Sequence, residues 1–304
     1  MYLSKSSEVK KMYSLTSLTK RHILIFLRDK TAVFFSFLSV LILLTLYFLF
    51  IGRQFTSGSE MDLLDENLKT YLVAGVMMGG VIVINTMSLS LGMMGSIIND
   101  MEYRRLDGFL VTPVKRYKII LSYYISSIIV TTILTLFMWV LTILYVGIFS
   151  GYWYSIGTIL LASLYIFLFT FISSSIMIFL TTLLKSVNAF GTMSGILGTL
   201  IGFVSGIYMP LVVLGKSMAY VASLVPFTHM AIILKNVLLK GPYEELSTFV
   251  PLESMREISA VYGTTEIGVL GSPVSMIWIM LACVLLATVL LYFAYRRLNQ
   301  KMGK

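Results

Sequence analysis

Charge is what this chain has least of. Asp, Glu, Lys and Arg together make up 12% of its 304 residues, about half of the roughly 25% usual in a soluble domain. The deficit is uneven: six stretches, 32–51, 71–98, 119–149, 156–184, 187–214 and 274–295, hold no charged residue at all. Cysteine is nearly missing too. Cys283 stands alone, which excludes an internal disulfide and a thiolate metal cluster. Mid-way along an apolar run, it reads as a small buried side chain. Histidine occurs only at His22 and His229, so no His/Cys cluster has metal-ligand spacing. With no carboxylate pair inside a charge-free stretch and no nucleophile beside a base, catalytic, cofactor-binding and metal residues are all expected to be none. Gly215-Lys216-Ser217 resembles the end of a phosphate loop, but that loop needs a glycine five positions earlier, where Pro210 stands.

What is present is apolar length. Each charge-free stretch has the roughly 20 residues that a helix needs to cross the hydrocarbon core. A lipid-embedded segment must satisfy its own backbone hydrogen bonds, which leaves helices or closed barrels, and nothing here alternates as barrel strands do. The expected fold class is therefore all-α integral membrane, with six transmembrane helices. The first apolar run is too long for a signal-peptide core and reads as an uncleaved span. The net charge of +9 reports topology. With both termini cytoplasmic, seventeen of the 23 Lys and Arg fall on the inner side, as the positive-inside bias requires. It also favours contact with anionic membrane lipid over nucleic acid, which needs basic residues clustered on a soluble face.

Two domains follow. Residues 1–31 form a cytoplasmic arm, where Leu15, Leu18, His22 and Ile25 recur at helical spacing among Lys20, Arg21 and Arg28. Such a helix lies in the membrane interface, with His22 as a packed or interfacial side chain. Residues 32–304 form the six-helix transmembrane domain. Its first external loop (52–70) is acidic and solvated. Tyr152, Trp153 and Tyr154, in the tight 150–155 loop, read as an interfacial aromatic belt. In the fifth span, Gly191, Gly195, Gly198, Gly202 and Gly206 clear one helix face for close packing, either within the chain or against a second subunit. Asn85, Thr86 and Ser88 are uncharged polar groups that would line a path or bond to their own helix. The external segment 215–273 is expected to hold one or two short re-entrant helices up to Leu239. Pro226 sits in a first turn there, and Met230, Ile233, Leu234 and Val237 follow at helical spacing. A polar cap or loop is expected over 240–273.

The segment 99–118 is the most specific. It runs Asn99-Asp100-Met101-Glu102-Tyr103-Arg104-Arg105-Leu106-Asp107-Gly108-Phe109-Leu110-Val111-Thr112-Pro113. This is a short, charge-dense helix between spans two and three, broken by Pro113. Here the sequence resembles the permease subunits of ABC-2-type exporters, whose loop after span two carries a glutamate, a leucine-rich turn and a Thr-Pro ending. Glu102, Leu106, Leu110, Thr112 and Pro113 match it. The arm ending Phe26-Leu27-Arg28-Asp29-Lys30 is similar to that family's connecting helix. Ser205 to Pro210 and Leu224 to His229 are similar to the end of its span five and its re-entrant helices. Two departures stand out: Arg104 where the family often has glycine, and Leu214-Gly215 where Leu-Pro commonly follows span five.

The resemblance implies a type V exporter fold and a half-transporter in a bacterial cell (plasma) membrane. Two permease chains, as a homodimer or with a close paralogue, would pair with separate ATPase subunits. Those subunits would carry the ATP and Mg, leaving no cofactor on this chain. Asp100, Glu102, Arg104, Arg105, Leu106, Gly108 and Pro113 would form the coupling element. The five glycines would sit near the dimer seam, and Pro210, Pro226, Phe227 and His229 at the outer gate. The cargo would be a drug, lipid, peptide or polysaccharide. A non-transporting sensor or scaffold is the alternative, and a secondary carrier the third reading. The carrier is disfavoured because no ionisable residue lies in the six stretches.

Overall fold

The computed structural model describes residues 2–31, 33–34, 64–111, 114–206, 208, 211–248, 250–272 and 274–301, with side chains from Leu15 onward apart from those of Leu110, Leu214 and Lys216. The expected first span, its acidic loop up to residue 63, Thr112, Pro113 and Pro210 lie outside these residues.

Every element described is helical. In chain order they are α1 (Tyr2–Arg28), α2 (Glu66–Glu102), α3 (Arg105–Leu110), α4 (Arg116–Phe149), α5 (Ile156–Thr181), α6 (Val187–Val204), α7 (Leu211–Leu214), α8 (Lys216–Ala222), α9 (Pro226–Leu246), α10 (Leu252–Tyr262) and α11 (Met276–Lys301). Five of these (α2, α4, α5, α6 and α11) are long and apolar enough to cross a membrane. They correspond to the second through sixth expected spans.

α2 is the mast of the bundle. Its 37 residues extend about 55 Å, well beyond a hydrocarbon core of about 30 Å. In its most apolar window 89% of residues are buried, against 6% for α6. The burial follows from composition. Gly75 and Gly79 present bare backbone to α9, so that a Cβ on Gly79 would lie 2.7 Å from Lys235 Cγ and 3.0 Å from Lys235 Cα. On the side facing α4 and α5, hydroxyls and an amide replace bulk. Asn85 Nδ2 donates to Thr135 Oγ1 at 3.2 Å, Thr86 pairs with Ser173 at 3.0 Å, and Ser90 pairs with Ser174 at 2.9 Å. Each such clasp is worth about 0.6 kcal/mol in a membrane. Asn85 and Thr86 are fully buried, so these two residues fasten helices together. Ser88 is partly exposed.

Two helix ends differ from expectation. α6 stops at Val204, ten residues before the end of the charge-free run, because Gly206 turns left-handed at φ 67° and closes the helix as a glycine does at a C-terminus. α9 begins at Pro226 as expected but runs on to Leu246 through Lys240, Gly241 and Pro242. Gly241 permits this: its missing side chain admits the Tyr71 hydroxyl, 3.1 Å from where a Cβ would stand. The expected loop at 240–273 is thus largely helical, as the end of α9 and all of α10.

Candidate functional site: the α2–α3 corner

α2 ends at Glu102, and the chain turns sharply into α3. Arg104 makes the turn in the left-handed region, at φ 53° and ψ 23°. That conformation suits glycine and costs another residue about 1 kcal/mol.

Asp100, one turn before the corner, is almost fully buried. Its carboxylate accepts from Arg21 Nη1 at 2.9 Å and Nη2 at 3.4 Å, and from the Tyr123 hydroxyl at 2.5 Å. Arg105 Nη1 lies 3.9 Å away on the exposed side. Asp100 therefore binds α1 and α4 to the end of α2. Expected in the coupling element, its carboxylate is taken up by contacts within the chain.

His22 completes the anchor. Its ring stacks on Tyr123 with centroids 3.7 Å apart. Nδ1 lies 3.2 Å from Arg21 Nη1, and Nε2 lies 3.1 Å from Ser122 Oγ. An arginine can only donate, so Nδ1 is the acceptor and Nε2 carries the proton. Burial, reinforced by the neighbouring Arg21 charge and opposed by Asp100, lowers the His22 pKa to about 4. The sign follows: the folded chain binds fewer protons than the unfolded one between about pH 4 and the ordinary histidine value of about 6.5. Stability is complete above about pH 6.5 and falls as pH drops through that window, by about 2 kcal/mol near pH 5. Thermal unfolding at pH 7.5 and pH 5 should show a loss that His22→Gln largely removes. An equal loss in both proteins would refute it.

Glu102 points the other way. Its carboxylate is exposed and accepts from the backbone N–H of Val187, the first residue of α6. A carboxylate at a helix N-terminus satisfies an orphan amide and meets the positive end of the helix dipole. α2 and α6 also touch where Phe190 lies against Gly95, its ring 3.2 Å from a Cβ placed there. The corner thus holds α1 and α4 through Asp100 and α6 through Glu102.

α3 itself is anchored by buried Leu106, while Tyr103, Arg104, Arg105, Asp107, Gly108 and Val111 are exposed. Arg21 lies over the Phe109 ring at 4.9 Å and Arg105 over Tyr103 at 5.5 Å. A Cβ on Gly108 would touch nothing within 4 Å. The result is a rim of charge and aromatic surface on a well-held base.

The other predicted residues lie elsewhere. Gly191, Gly195 and Gly198 face open space, with nothing within 4 Å of an added Cβ. Gly202 is covered by the Tyr208 ring, whose hydroxyl donates to the Gly198 carbonyl at 3.3 Å. At the start of α9, level with the end of α6, Phe227 and His229 are buried, and His229 Nε2 donates to Ser223 O at 2.8 Å. Within the described chain Gly202, Phe227 and His229 are therefore packed, whereas Gly191, Gly195 and Gly198 meet no neighbour.

Sequence reasoning missed the parts played by Arg21, Ser122 and Tyr123, which meet Asp100 and His22 across 23 to 100 positions. It also passed over Lys235. This lysine is buried among α2 and α9, with Nζ 3.4 Å from the Gly206 carbonyl at the end of α6. Burial lowers its pKa to about 8. A buried amine next to a helix C-terminus is held by the negative end of that helix.

A family model described as ABC-2 type transporter matches residues 13–239, a range that runs from α1 through most of α9 and includes the whole corner. No curated protein matches the chain. With three quarters of its length inside that match and five helices able to cross a bilayer, this multi-pass membrane protein belongs to the ABC-2 type transporter family.

Proposed function

We propose that the chain is the permease subunit of an ATP-driven exporter and that the α2–α3 corner is where a separate ATPase subunit pushes. One observation carries the reading: a single turn of helix bonds to α1 and α4 through Asp100 and to α6 through Glu102, while its outer rim is exposed. A load on that rim reaches three helices at once. In this reading the corner is cytoplasmic, ATP and Mg reside on the partner, and the cargo is hydrophobic or amphipathic. The bare strip of Gly191, Gly195 and Gly198 then seats a second permease copy, because close backbone approach is what such a strip permits.

The test is Glu102→Ala, with the permease and its ATPase subunit purified together in lipid. An exposed cap contributes only about 1 kcal/mol to folding, so insertion, yield and copurification should be kept. Cargo-stimulated ATP hydrolysis should drop at least tenfold, roughly the effect of 1.4 kcal/mol on a coupled step. Unchanged hydrolysis and export would remove the corner from the coupling path. Failure of an ATPase to copurify with the unaltered chain would favour a non-transporting membrane protein.

A further inference from the structure

At the end of the bundle opposite the corner, three elements line a half-open cavity of about 870 Å³. The start of α2 supplies Asp65, Leu68 and Tyr71. The α4–α5 loop supplies Trp153, and the last turns of α9 supply Glu244 and Glu245. The size falls in the range of sites that enclose drug-sized molecules, roughly 300–1,000 Å³. The family match and the coupling corner do not account for it.

The lining has a definite chemistry. Three carboxylates stand against one ammonium, that of Lys240. Among the described residues Asp65, Glu244 and Glu245 have no salt bridge. Burial, with a hydrogen bond to Glu245 and its charge, raises the pKa of the nearby Tyr152 phenol, as expected on a negative wall. The aromatic rings are held in place. Trp153 lies on Gly147, its ring 2.6 Å from where a Cβ would stand, and Tyr71 is stacked with Tyr152 at 5.5 Å and edge-on to Tyr154 at 5.2 Å. A bare metal ion does not fit: among the described residues no three His, Cys, Asp or Glu side chains stand close enough to share one. Carboxylates set apart around aromatic and aliphatic surface suit a diffuse positive charge on an apolar body. Ring faces attract such a cation, and the carboxylates complement its charge without a tight coordination shell.

We propose that this cavity binds a lipophilic organic cation, its charge facing Glu244 and Glu245 and its apolar body against Tyr71, Trp153 and Leu68. The experiment uses the full chain in lipid nanodiscs, with radiolabelled tetraphenylphosphonium as probe and tetraphenylborate as an anion of the same size and shape. Expected is one saturable site above that of empty nanodiscs, which tetraphenylborate does not displace. Glu244→Gln/Glu245→Gln, a change on an accessible wall, should weaken binding roughly tenfold, and Trp153→Leu about threefold. Lack of saturable binding above empty discs would overturn the proposal. Equal displacement by the anion, or unchanged affinity in the double variant, would do the same.

Discussion

Replacing Gly79 by leucine should prevent the bundle from closing. At this position a Cβ would meet the backbone of Lys235 at 3.0 Å, and its Cγ at 2.7 Å. Backbone cannot step aside as a side chain can, so α2 and α9 would have to separate along the seam that buries Val76, Leu238 and Leu239. Overpacking commonly costs 1–3 kcal/mol; here the cost should be about 3 kcal/mol or more. Gly75 is the internal control. A Cβ there would approach the Leu239 Cδ2 methyl at 2.8 Å, the free end of a flexible side chain, so Gly75→Ala should cost less than about 1 kcal/mol. Fluorescence-detected size exclusion of detergent extracts after heating gives the comparison. Gly79→Leu should yield aggregated or absent protein, Gly79→Ala a lowered midpoint, and Gly75→Ala a midpoint near the parent. If Gly79→Ala and Gly75→Ala melt alike, helix approach at Gly79 is not what limits packing.

The second large effect is expected at Asp100. Its side chain is 3% exposed and holds Arg21, whose own side chain is 30% exposed. Removing one member of a buried pair leaves the other uncompensated, at about 3–5 kcal/mol. The partial exposure of Arg21 puts Asp100→Ala near the low end, about 3 kcal/mol. Part of that loss is the Tyr123 hydroxyl, stripped of its acceptor in a buried position. Arg21→Ala should cost at least as much, because it strands the more deeply buried charge with only the Tyr123 hydroxyl and the outlying Arg105 beside it. The double variant Arg21→Ala/Asp100→Ala should then be more stable than the sum of the single losses predicts. Strict additivity in a thermal-unfolding cycle would mean that Arg21 and Asp100 do not hold each other.

These two positions also show what a linear sequence carries. The spans were legible because lipid excludes charge, so the second to sixth charge-free runs overlap α2, α4, α5, α6 and α11, the fifth run outlasting α6. The corner was legible in outline for the complementary reason, a dense run of charge followed by proline. The burial of Asp100 was not legible, because a carboxylate in such a run normally faces water. Its burial depends on Arg21 and Tyr123, 79 and 23 positions away, and no local pattern encodes that meeting. The end of α6 was legible in principle. Ser205-Gly206 is a helix-stop signal, but the four-residue glycine rhythm drew Gly206 into the packing motif. Along α9, Lys240-Gly241-Pro242 reads as a break, yet the helix continues there with the Tyr71 hydroxyl packed against Gly241.

Among the described residues α6 is fastened near its two ends and held between them along one side only, by Met193, Leu197 and Ile201. Glu102 and Phe190 hold its start, Tyr208 and Lys235 its finish, and Gly202 is its one buried residue. Eighteen residues give an arm of about 27 Å. A tilt of roughly 10° about one end would sweep the other by about 5 Å, close to the width of a sugar ring or an acyl chain. Small strokes at the corner would therefore be geared up along this rod, which is the least buried of the five described helices able to cross a membrane.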